Sequence, residues 1–154
     1  FAENGIQVIW QTGKYFFETA QEAAKEYHPE GIRTVAFIDR MDFAYAVANV
    51  IISRAGATAI SEICAVGKPS VFVPLPSAAE DHQTKNAQAL VEKQAALMVK
   101  DAEADELLVQ SVLKLVMDKE KQDELSRNLL KLAKKDADDK IAEEVLSLVN
   151  YKKQ

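Results

Sequence analysis

The sequence is poor in residues that announce special chemistry. Cys64 is its single cysteine among 154 residues. One thiol cannot close an internal disulfide, so no disulfide framework is expected and the cytoplasm fits as the compartment. There is no HExxH pattern, no cysteine pair and no acidic cluster of EF-hand type, so neither a protein-built metal site nor a cofactor is expected. No apolar run approaches the roughly 20 residues that span a bilayer. The longest candidate, residues 47–52, is only strand-sized, and no signal peptide is recognisable. An excess of basic charge is also missing. The formal net charge is −5 and the lysines are scattered, which excludes the electrostatic footprint of a nucleic-acid binder. Repeats, low-complexity stretches and linkers are absent. Phe1 is not Met, and residues 1–5 read as the frayed end of a helix with a glycine stop, so an excised piece of a longer protein is expected.

What is present reads as one soluble α/β domain over residues 1–154. Apolar residues make up 48% and charged residues 28%, a balance that supports a real core. Short β-rich runs at 6–10, 32–37, 50–53, 70–73 and 96–99 alternate with helical stretches at 15–27, 42–48, 57–66 and 81–93. Pro29 and Gly31 are expected to close the first of these helices, and Gly67 the third. The run 50–53 is nearly all β-branched, as a strand buried on both faces should be. Alternation of this kind predicts a parallel sheet flanked by helices, with its core in residues 6–100. Residues 101–154 read as helices at 104–117, 119–134 and 137–149. Leucine stripes there (Leu125, Leu129, Leu132; then Ile141, Val145, Leu148) predict one buried face for each of the last two.

In an open parallel sheet, ligands bind beyond the carboxyl ends of the strands, and three segments lie there. Phe37-Ile38-Asp39-Arg40-Met41 leaves the second strand; on pattern alone it is either a ligand loop or an ordinary loop with Asp39 capping a helix. Arg54-Ala55-Gly56 turns into a helix at Ala57. Gly56 permits close approach or positive φ. The unpaired amides at the start of the helix, with its dipole, form an anion site suited to a diphosphate. Thr58, Ser61 and Glu62 share one helix face, while Ala57, Ile60 and Cys64 can pack on the sheet. Glu62, one turn on, is placed to accept two ribose hydroxyls, or else it is a surface glutamate paired with Arg54. Cys64 reads as core. The third segment runs from Pro74 through Pro76 into Asp81-His82-Gln83-Thr84-Lys85-Asn86. His82, Gln83 and Asn86 lie at helical spacings, and their neutral hydrogen-bonding groups suit sugar hydroxyls and a sugar amide. His82 is equally readable as an ordinary first-turn residue.

Together, Ser53-Arg54-Ala55-Gly56-Ala57-Thr58-Ala59-Ile60-Ser61-Glu62, Gly67-Lys68-Pro69-Ser70, Phe72-Val73-Pro74 and Asp81-His82-Gln83-Thr84-Lys85-Asn86-Ala87 resemble the MurG family. The resemblance covers roughly residues 6–100 well and the C-terminal helices loosely. It implies the C-terminal, donor-binding lobe of a GT-B glycosyltransferase with a Rossmann-like sheet. Such enzymes move N-acetylglucosamine from UDP-GlcNAc to a lipid-linked muramyl-pentapeptide in peptidoglycan synthesis, by an inverting mechanism. By the same resemblance, the Ile38 backbone reads the uracil edge, and Ala57, Thr58 and Ala59 face the diphosphate. Glu62 takes the ribose hydroxyls, and His82, Gln83 and Asn86 hold the GlcNAc. Arg54 and Gly56 support the site. Some relatives have glutamine where His82 stands.

The resemblance also implies a departure. The family's domain opens with a strand and a Gly-Gly-Ser-type loop that this chain lacks, as it lacks the acceptor-binding lobe, where the catalytic base and the membrane-facing patch are expected. The parent would work on the cytoplasmic face of the bacterial membrane; this chain is expected to be inactive as a transferase and not to bind membranes. Loss of a central strand leaves unpaired edges, so rearrangement or self-association is expected there. Rival readings are the donor-binding subunit of a two-chain transferase, a UDP-GlcNAc epimerase-like lobe, and a non-enzymatic nucleotide-binding module.

Overall fold

The computed structural model describes residues 1–27, 31–134 and 136–151. Among the described residues, five parallel strands form two separate sheets rather than one. The first pairs β1 (Val8–Gln11) with β2 (Ile32–Val35), Val8 opposite Ile32. The second has the order β3 (Ile51–Ser53), β4 (Ser70–Phe72), β5 (Leu97–Met98). The single sheet expected from the alternation is thus divided, the first two strands pairing apart from the last three.

Helices connect the strands: α1 (Phe17–Tyr27), α2 (Met41–Val47), α3 (Ala57–Val66) and α4 (His82–Glu92). After β5 come α5 (Ala104–Met117), α6 (Lys119–Leu132) and α7 (Ala137–Tyr151). The expected stop at Pro29 lies outside the described residues. None of the described helices is long and apolar enough to cross a membrane.

The core is built around β4, whose three residues are all buried. Successive side chains of a strand point to opposite faces. Phe72 accordingly joins Ile63, Cys64, Ala87, Leu90 and Leu129 on one side. Val71 joins Val99, Val112, Leu115 and Leu125 on the other. Cys64 is core, as read, and burial pushes its thiol pKa up.

Two burial expectations are corrected. The β-branched run at 50–53 is not buried on both faces: Ile52 is 42% exposed. The reason is position, because β3 is an edge of its sheet with β4 on one side only. The stripe of α7 is not buried either; Ile141, Val145 and Leu148 are exposed, whereas Leu125 and Leu129 of α6 are fully buried. Helix α6 is seated against α3 and joined to α5 by Gln122, whose side-chain amide donates to the carbonyls of Leu115 and Val116. No element among the described residues covers α7 in this way.

Candidate functional site: a ledge at the carboxyl ends of the strands

Loops leaving β3, β4 and β5 meet at Arg54. Its Nη1 donates to the carbonyl of Val73 at 3.2 Å, more weakly to that of Pro74 at 3.4 Å, and to the Asp101 carboxylate. Both partners of the ion pair are substantially exposed, so it adds little stability. Its effect is positional: one guanidinium holds three loops in register. Glu62 therefore does not pair with Arg54, the partner its surface reading had suggested.

The turn Arg54-Ala55-Gly56 is clamped from α4. Gln83 Oε1 accepts from the amides of Ala55 at 3.1 Å and Leu75 at 3.0 Å. Asn86 Nδ2 donates to the Ala55 carbonyl at 3.2 Å. Each side chain keeps unused capacity, the Gln83 amide nitrogen and the Asn86 oxygen, for another partner. His82 is exposed on the first turn of α4. Before it, Glu80 and Asp81 both adopt positive φ, 51° and 56°, a cost for residues with side chains that recurs at binding sites.

The clamp presents the start of α3. Gly56 is its N-cap with φ −70° and ψ 148°, so the positive φ that glycine allows is not used. A Cβ there would meet no protein atom within 4 Å. The glycine thus serves neither backbone strain nor internal packing, and the space above it is open. No side chain caps α3. The first internal bond runs from Ile60 to Gly56, which leaves the amides of Ala57, Thr58 and Ala59 without intrahelical partners. Ala57 and Thr58 are exposed, and so is Glu62 one turn on. Ser61 Oγ returns to the Ala57 carbonyl at 2.9 Å.

Ile38 lies after β2, and its amide donates to Gln11 Oε1 at 2.9 Å. Asp39 caps nothing: the N-cap of α2 is Arg40, with no side-chain cap bond. The start of α2 is held instead by Arg40, which pairs with Asp42 at 2.7 Å and stacks 4.0 Å over Phe43. The Arg40 hydrogen bond holds the Asp42 carboxyl below its usual range. Sequence reasoning missed three residues here. Gln11 and Asp101 carry no local signal, since their partners lie 27 and 47 residues away. Tyr45 had one: a lone hydroxyl in the otherwise apolar Phe43-Ala44-Tyr45-Ala46-Val47. That hydroxyl donates to Glu62 Oε2 at 2.8 Å. Two shallow cavities, about 230 and 340 Å³, lie elsewhere, around Lys68 and Lys119 and around Lys114 and Lys121. The site itself is an open ledge.

Residues 1–141 match the glycosyltransferase family 28 C-terminal domain. The chain belongs to this family. Among curated relatives of this family 28 domain, the UDP-N-acetylglucosamine--N-acetylmuramyl-(pentapeptide) pyrophosphoryl-undecaprenol N-acetylglucosamine transferase of Cytophaga hutchinsonii is 52% identical over 146 residues, 95% of this chain and 38% of the relative. The enzyme of the same name from Parabacteroides distasonis is 47% identical over 152 residues, 99% of this chain and 41% of the relative. The crystal structure of Acinetobacter baumannii MurG superposes with a TM-score of 0.80 at 28% identity, covering 92% of this chain and 43% of that one. The glycosyltransferase VinC shares the fold, with a TM-score of 0.57 at 16% identity over 82% of this chain and 37% of VinC. The family 28 domain here spans about two fifths of the length of the curated relatives it matches.

Proposed function

We propose that the ledge binds the donor UDP-GlcNAc, and that the protein to which such a domain belongs is a glycosyltransferase moving GlcNAc onto a lipid-linked muramyl-pentapeptide. The observation that carries the reading is the start of α3: three amides without intrahelical partners under open space at Gly56, with an exposed carboxylate one turn on. A helix N-terminus favours a diphosphate through its amides and its dipole. It would also stabilise the charge that develops on departing UDP, and such preorganised dipoles are a large part of catalysis in transfer reactions. Similarity to the named transferases supplies the identity of donor and acceptor.

Ala57, Thr58 and Ala59 take the diphosphate in this reading, and Glu62 the ribose. The free Gln83 nitrogen and Asn86 oxygen, with His82, take the sugar. Ile38 takes the uracil edge, which requires its amide to exchange Gln11 for the base. Arg54 and Gly56 support the turn. The 154 residues are proposed to act as one donor-binding domain, on the cytoplasmic side of the membrane. The open strand edges are proposed as self-association surfaces.

Calorimetry with UDP-GlcNAc tests the reading. Saturable binding at or below millimolar concentration is expected, weakened by Glu62→Ala. Absence of heat at millimolar nucleotide would sink it.

A further inference from the structure

Glu62 is an exposed side chain with three rotatable bonds, and to grip a diol it must present both carboxylate oxygens in one orientation. Left free, it would lose conformational entropy each time it bound. The structure already restrains it. The Tyr45 ring is partly buried against the cluster of Ile63, Phe72 and Leu90. Its hydroxyl emerges from that packing and donates to Glu62 Oε2 at 2.8 Å, a bond from α2 to α3 across 17 residues. Oε1 and a remaining lone pair on Oε2 are left to accept from a ligand.

We propose that Tyr45 is a positioning residue for nucleotide recognition. Its hydroxyl holds the Glu62 carboxylate in the orientation that accepts the 2′- and 3′-hydroxyls of the ribose. Tyr45 thereby sets the preference of the ledge for ribonucleotides over nucleotides lacking that diol. This rests on the ribose role of Glu62 proposed above. A phenol suits the task because it is rigid and donates a proton at neutral pH. Burial, the hydrogen bond to Glu62 and the charge of Glu62, in that order, push the Tyr45 pKa up to about 12, so the donor stays protonated.

The test compares UDP with 2′,3′-dideoxy-UDP by calorimetry on the whole chain. The unaltered chain is expected to bind UDP at least several-fold tighter. Tyr45→Phe removes one oxygen and keeps the ring in its packing. It should weaken UDP binding roughly three- to tenfold, the range of a single lost hydrogen bond. It should leave dideoxy-UDP binding unchanged. With Glu62→Ala already in place, adding Tyr45→Phe should change neither affinity. If Tyr45→Phe keeps the full preference for UDP, or weakens both nucleotides equally, the positioning role is overturned while the ribose role of Glu62 stands. If the unaltered chain binds both nucleotides alike, the ribose role falls, and the positioning role with it.

Discussion

Gly67 shows how much a single residue can carry. It ends α3 with φ 64°, and a Cβ there would lie 2.6 Å from Cγ of Leu130 on α6. The helix stop was legible in the sequence, because glycine after an apolar helical run is a common C-cap. The contact with Leu130 was not, since nothing local reports on a residue so far along the chain. Gly67→Ala carries a left-handed backbone penalty of about 1–2 kcal/mol and obliges the partly exposed Leu130 side chain to shift. Chemical denaturation should show destabilisation of about 1 kcal/mol or more. Gly56 is the opposite case: of the close approach or positive φ that its sequence offered, the positive φ is not used, and the space about it is open. A second residue-scale expectation concerns Tyr45. The fold favours its neutral form, so the stability it lends is complete below pH 10 and is lost as pH rises through about 12. Absorbance titration of the phenols should show a late component near 12 that Tyr45→Phe deletes. Replacing Glu62 by Gln should move that component down, because the charge of Glu62 is removed while the amide oxygen can still accept the hydrogen bond.

Helices α6 and α7 carry the same apolar periodicity and meet different fates. Periodicity says which face of a helix is apolar; whether anything covers that face depends on neighbours the pattern does not contain. The same limit misled the reading of β3, where β-branched residues signalled a strand but not its place at an edge. Helix positions along the chain were legible, with α3 and α5 starting and ending where the sequence suggests, because their stops are local. The fate of each stripe gives a paired expectation. Leu129→Ala empties a fully buried position and should cost about 2–5 kcal/mol in a melt or denaturant titration. Val145→Ser, on the exposed face of α7, should stay within about 0.5 kcal/mol of the parent.

Across the whole molecule, burial is uneven. Of the buried apolar residues described, only Ala20 and Ala24 precede Ala55. The parallel α/β class was readable because strands and helices alternate, and the clamp of Gln83 and Asn86 on Ala55 was not, because it joins segments about 30 residues apart. Amide exchange should follow burial, with β4 protected longest and β1 and β2 exchanging sooner; uniform protection across all five strands would contradict this. The division of the sheet has one more consequence. β1 and β3 belong to different sheets and differ in sequence, and each carries exposed apolar side chains, Ile9 and Trp10 on one and Ile52 on the other. If β1 of one copy meets β3 of the next, the contact is heterologous, and unless its rotation happens to close a ring it repeats without end. Self-association by that route gives an open-ended series of sizes in a sedimentation run, growing with concentration, where a self-complementary surface would stop at two.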